Sequence, residues 1–227
     1  MLDTTQIDPG TPGGSLLRTY EARRLAREEA VRCRHPRIGG LMLALQREPG
    51  TISAFRSGAE GEALVAERLR RACGPDVQLL FNRSLGAGRR DGDIDVLAVT
   101  PTGVHVIDVK KYARATVRVR RTGGLISFVT EQLMVNGRDQ TRLLASVKRQ
   151  EDAVRDALST LPWSDVVPLH LALCFVGSDL PLFAKQVQGV AVLGAKGLAK
   201  RLNSVGSLGP TLRASMTRHL AVQLPVA

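Results

Sequence analysis

Residues 92–110, GDIDVLAVTPTGVHVIDVK, decide how this chain is read. Two apolar runs, 93–99 and 104–110, flank Thr100-Pro101-Thr102-Gly103. Proline at the second position and glycine at the fourth suit a type I turn, so the stretch predicts a β-hairpin. Strand side chains alternate faces, which puts Asp108 and Lys110 on one side and Val109 on the other. Pairing Thr100 with Gly103 and counting back sets Asp95 across from Asp108. A slip of one residue would turn Asp95 to the opposite face. The expectation is therefore specific: two carboxylates and one ammonium share a single patch.

Charges in an apolar hairpin are costly to bury unless they are paired or bind metal. A simple ion pair closing the hairpin would need one carboxylate, and here there are two. Adjacent carboxylates repel, and a divalent cation removes that repulsion. Hard oxygen donors of this kind suit Mg²⁺ or Mn²⁺. A lysine beside them can orient a water and stabilise charge developing on a phosphate.

The spacing D-x₁₂-D-x-K resembles the PD-(D/E)xK nuclease core. An ordered set of segments narrows the resemblance: GAEGE at 58–62, LLFNRSL at 79–85, GDIDVLAV at 92–99, GVHVIDVKKY at 103–112 and NGRDQ at 136–140. Together they resemble the nuclease-related domain called NERD, over about residues 58–203. The resemblance implies an α/β fold (α+β, restriction-endonuclease-like), with a central mixed β-sheet flanked by helices. It also implies metal-dependent hydrolysis of DNA in DNA processing or repair, leaving a 3′-hydroxyl and a 5′-phosphate. Asp95 and Asp108 would hold the metal and Lys110 would serve the attacking water. A glutamate of the opening helix faces the active site in this family, and GAEGE supplies Glu62, with Glu60 a competitor that periodicity does not exclude. The family pattern has Asn-Pro shortly before a glutamine. Asn136 and Gln140 fit it, but Gly137 stands where proline is usual. Gln140 then becomes a candidate partner of a phosphate or an active-site carboxylate. A DNA-binding module on the same fold, without turnover, is the alternative.

The net charge of +11 favours a polyanionic partner through long-range attraction and counterion release. DNA is expected, RNA is left open, and an anionic membrane surface is the weaker choice. Three scattered cysteines, with no CxxC, read as reduced thiols of a cytoplasmic protein rather than a zinc ribbon. No signal-peptide pattern opens the sequence, and the longest apolar run, 169–176, is far too short to span a membrane. P-loop, HExxH and GxSxG patterns are absent. Aromatic residues make up only 4%, which supplies few base-stacking platforms. A homodimer is compatible with the sequence, which does not choose.

Taken in order, residues 1–14 are rich in Gly, Pro, Asp and Thr and read as a disordered tail. Residues 15–50 read as a basic helical extension, broken at His35-Pro36 and closed by Pro49-Gly50. The domain proper is set at 51–227, with a helix over 58–72. A strand over 77–81 leads to a loop, 86–91, carrying Arg89 and Arg90. After the hairpin, residues 111–121 read KYARATVRVRR, with Arg118 and Arg120 alternating with valines. Lys111, Arg114, Arg118 and Arg120 are candidate phosphate contacts. The same pattern also fits a charged edge strand that resists aggregation. Further strands are expected at 125–130, 169–176 and 190–193. Helices are expected at 139–158, 197–202 and 211–224, and His105 is expected inside, opposite Asp108.

Overall fold

The computed structural model describes residues 7–85, 92–123, 129–162, 166–181 and 186–227. The chain opens with helices α1 (Gly14–Arg34), α2 (Gly39–Leu45) and α3 (Gly50–Ala72). Strands β1 (Gln78–Ser84), β2 (Asp93–Thr100), β3 (Gly103–Thr122), β4 (Thr130–Val135) and β5 (Arg138–Asp139) follow. Helix α4 (Arg142–Leu158) leads to β6 (Leu169–Asp179), β7 (Gln186–Val187) and β8 (Val190–Gly194), and then to α5 (Ala195–Leu202) and α6 (Pro210–Gln223). This is the mixed α/β architecture expected of a nuclease-like fold, with an N-terminal helical region.

The hairpin forms in the expected register, Thr100 against Gly103 and Val96 against Ile107. Sheet order is β1-β2-β3-β6-β8-β7, antiparallel from β1 to β3 and parallel from β3 through β6 to β8. Strand β3 is longer than the hairpin arm, because it continues through the basic stretch as one strand. A register shift between Lys111 and Ala115, with Arg114 at φ 57°, bends it there. Beyond the bend Ala115 and Thr116 still pair with β6, and from Val117 onward the partner is β4, which carries β5.

Helices α3 and α5 cover one face of the sheet, where Val65, Leu69, Leu198 and Leu202 pack on Phe81, Val96, Ile107 and Val109. On the other face lie α4 and α6, with Val147, Val154, Met216 and Leu220 against Leu97, Val99, Val104 and Val106. Both faces of the hairpin are thus buried, which is why its runs are continuously apolar. His105 is inside, opposite Asp108 as expected, with Nε2 against the Thr100 and Thr102 hydroxyls at 3.2 and 3.1 Å. Burial, with His170 and Arg201 nearby, pushes its pKa down to about 3. Cys174 is buried and its thiol is pushed up to about 12 by that burial, while Cys73 is half-buried and Cys33 exposed.

Several boundaries move. Helix α3 starts at Gly50 rather than 58, because Gly58 and Gly61 are packing glycines inside it. An added Cβ at Gly61 would stand 2.8 Å from the Lys111 Cβ. Helix α4 starts three residues later than expected, since Arg138 and Asp139 pair with β4. Of the strand expected at 125–130, residues 125–128 lie outside those described; a strand runs over Thr130–Val135. The disordered tail fails for its described part, residues 7–14. The Pro9 carbonyl accepts the Phe81 N–H at 2.7 Å, and Arg83 Nη1 donates to the Asp8 carbonyl at 3.0 Å. Nor is the N-terminal extension separate from the domain, because α1 packs along α3.

Gly103 closes the hairpin at φ 133°, with its missing Cβ directed at the Pro168 carbonyl. Gly137 also has positive φ, 75°, but nothing lies within 4 Å of an added Cβ. Gly103→Ala should cost about 3 kcal/mol, from backbone strain and forced repacking together. Gly137→Ala should cost only about 1 kcal/mol, the strain alone. Urea unfolding of the two variants measures the difference.

Candidate active site

The β2–β3 ladder stops at Val96 and Ile107, and Asp95 and Asp108 come next. There the Asp95 side chain replaces the backbone partner: Oδ2 accepts the Val109 N–H at 2.6 Å. Asp95 is 8% exposed and Asp108 3%. Lys110 Nζ stands 2.6 Å from Asp108 Oδ2, and that oxygen has no well-aligned hydrogen bond besides this ion contact. Both carboxylates and the lysine line one cavity of about 460 Å³.

Helix α3 adds Glu62 to the same cavity. Its Oε2 accepts the Gly13 N–H at 2.9 Å. Glu62 is 4% exposed, and its pKa is pushed up to about 7 by burial first and then by Asp93. The competing Glu60 is exposed and pairs with Lys111 at 2.7 Å, an ion pair that holds its carboxyl below the usual range. Glu62, not Glu60, therefore faces the cavity. Asp95 is raised well above its ordinary value by burial, then by Asp108 and Glu62. Burial opposes the charge of Lys110, but Asp108 and Asp95 outweigh it and keep the ammonium protonated.

From the opposite layer α4 contributes Gln150, which the sequence reading missed. Its Nε2 donates to the Asp93 carbonyl at 3.0 Å and to Asp108 Oδ1 at 3.4 Å. Gln140, the residue singled out, does not line the cavity; its Oε1 accepts from Arg142 at 3.3 Å on the surface. Eight residues of helix, about 12 Å at 1.5 Å each, separate Arg142 from Gln150. The signal for Gln150 was a polar residue on the buried stripe between Val147 and Val154. Asp93 was also missed. It lines the cavity and accepts a hydrogen bond from the Ser15 hydroxyl. Its signal was period two, since GDID sets Asp93 and Asp95 on one strand face.

The basic candidates divide. Lys111 lines the cavity mouth, joined by Arg149, which the sequence reading did not name. Arg118 pairs with Asp179 at 2.9 Å, and its neighbour Arg121 pairs with Glu131 at 2.8 Å. Arg114 and Arg120 are exposed. Arg89 and Arg90 lie outside the described residues.

Asp95, Asp108 and Glu62 supply hard oxygen donors, and two details suit them to a divalent cation. Mutual repulsion and burial raise the Asp95 and Glu62 carboxyls, a strain that a cation would relieve. Gln150 Oε1 is buried without a partner. Against this, no three His, Cys, Asp or Glu side chains among the described residues already stand in metal-holding geometry.

The model of the family described as the nuclease-related domain, NERD, matches residues 57–176, a little over half of the chain. The chain belongs to that family. No curated protein and no solved structure matches it. The NERD match covers Glu62, Asp93, Asp95, Asp108, Lys110 and Gln150, but begins after α1 and α2. Among the described residues no helix is long and apolar enough to cross a membrane.

A protonated Glu62 gives the folded NERD protein a proton that the unfolded chain releases. In chelator, stability should fall as pH rises through the window from 4.5 to about 7. Thermal midpoints taken across that window should decline for wild type and decline less for Glu62→Gln. Identical slopes would remove Glu62 as the titrating group.

Proposed function

We propose that this chain is a divalent-metal-dependent nuclease that hydrolyses phosphodiester bonds in DNA. The supporting observation is the meeting of Asp95, Asp108, Glu62 and Lys110 in one cavity within the family-matched region. Asp95 and Asp108 would hold Mg²⁺ or Mn²⁺, with Glu62 completing the donor set and the Val109 carbonyl a further donor. The ion would polarise the phosphate and acidify a water, which is what such sites supply.

The chain's own residues do the rest. Lys110 directs its ammonium at the water and at charge growing on the phosphate oxygens. Gln150 fixes Asp108 through its amide. Lys111 and Arg149 at the mouth attract the backbone of the strand, on a chain of net charge +11. Water oxygen bonds to phosphorus as the bond to the 3′-oxygen breaks. The leaving oxygen takes a proton, giving a 3′-hydroxyl and a 5′-phosphate.

A second reading, a DNA-binding module without turnover, draws on the tight Lys110–Asp108 pair and the lack, among the described residues, of preformed three-acid metal geometry. Cleavage assays on linear, circular and single-stranded DNA with Mg²⁺, Mn²⁺ or EDTA separate the two. Lys110→Ala should lower the cleavage rate by about a hundredfold while leaving DNA affinity in place, the scale of losing one transition-state donor. Asp95→Asn should abolish the metal response. If wild type binds DNA equally in Mg²⁺ and EDTA and cuts none of these substrates, the binding-module reading stands instead.

A further inference from the structure

Residues 9–16 lie outside the family-matched region, which begins at 57. Leu16 at the end of this run nevertheless lines the acid cavity, and Gly13 and Ser15 bond to two of its carboxylates. The run starts beside β1, where the Pro9 carbonyl accepts the Phe81 N–H at 2.7 Å. It then crosses to α3. Gly13, at φ 71°, packs so closely that an added Cβ would stand 2.7 Å from the Ala59 Cα. A side chain would both strain that backbone and push the run away, so glycine here permits the approach.

Two polar contacts follow from that approach. The Gly13 N–H donates to Glu62 Oε2 at 2.9 Å, in a buried position. The Ser15 hydroxyl, one residue into α1, donates to Asp93 Oδ2. Leu16 lines the cavity beside them. Two of the four carboxylates that line the cavity therefore take a hydrogen bond from a segment the family domain does not include. Donors that fix a carboxylate's orientation matter most where that carboxylate must meet an ion at set distance. A mere surface tail would not place its donors on the buried Glu62 and the half-buried Asp93.

We propose that residues 9–16 are a working wall of the site, in which Gly13 and Ser15 are positioning residues for Glu62 and Asp93, with Asp93 a further oxygen donor to the ion beside the other three acids. The proposal rests on the nuclease reading. Neither residue touches the reacting atoms; both act through the carboxylates they hold.

The test uses the full chain with Mn²⁺ as probe, read by calorimetry alongside thermal midpoint and cleavage kinetics. Ser15→Ala should weaken Mn²⁺ binding by about tenfold, the lower end of what losing an outer partner costs a metal site. It should also lower kcat with KM for DNA unchanged. Ser15→Thr, which keeps the hydroxyl, should bind as wild type does, and Ser15→Val, of the same shape without it, should bind as Ser15→Ala does. That pair decides the matter if the alanine variant unfolds. Wild-type Mn²⁺ affinity in Ser15→Ala and Ser15→Val would overturn the proposal and leave the nuclease reading intact. Faster cleavage by Ser15→Ala would overturn it too, making the segment a brake. Absence of Mn²⁺ binding by wild type would overturn both readings.

Discussion

The hydrogen bond from the Val109 backbone to the Asp95 carboxylate is the contact on which the site depends. A β-ladder that simply continued would bury two facing aspartates with nothing to offset their charge. Here the ladder ends and a side chain takes over the amide. One carboxylate is thereby satisfied from the backbone, leaving Asp108 to Lys110 and Gln150. The apolar packing on both faces of the hairpin anchors this arrangement. Leu97, Val99, Val104 and Val106 grip one helical layer, and Val96, Ile107 and Val109 grip the other. Each fully buried side chain of this size contributes about 1.5–3 kcal/mol, so the strands are fixed well before the charges are considered.

The same packing explains which features were legible in the sequence. A turn signal at Thr100–Gly103, counted back along both arms, set the register, and the register put Asp95, Asp108 and Lys110 on one face. Choosing between Glu60 and Glu62 needed the third dimension, because both sit on the same turn of α3. One is drawn out to Lys111 at the surface and the other lies 4% exposed beside Gly13. The glutamine was misplaced for a different reason. Asn136 and Gln140 matched a local pattern, but local order says little about which turn of a helix meets a sheet. A buried amide between Val147 and Val154 was the better clue. Composition misled for residues 7–14 of the N-terminal run. Glycine and proline there read as disorder, whereas Gly10 and Gly13, both at positive φ, let the backbone lie directly against β1 and α3.

Charge is distributed in a way that composition alone hides. The chain carries 32 Lys and Arg against 21 Asp and Glu. Yet Glu62, Asp93, Asp95 and Asp108 line one cavity, with Lys110, Lys111 and Arg149 among the residues around them. Such a pattern sets an acidic interior inside a chain of positive net charge, the field the proposed function would use. The basic strand contributes less to that field than its sequence suggests, because Arg118 and Arg121 are matched by Asp179 and Glu131.

Exposed pairs of this kind are worth little to stability, and salt screens them. What separates them from Lys110–Asp108 is burial. An ammonium 2.6 Å from a carboxylate that is 3% exposed is held in a medium where each would be costly alone. Removing either charge leaves the other unmatched, so the pair persists only while both remain. A divalent cation, if bound as proposed, would change that balance, since it would satisfy Asp108 and free the lysine for another anionic oxygen. On the proposed metal reading the ion pair would be the cation-free arrangement of the same donors, and burial together with the neighbouring acids, which raises the Glu62 and Asp95 carboxyls, is what a cation would offset.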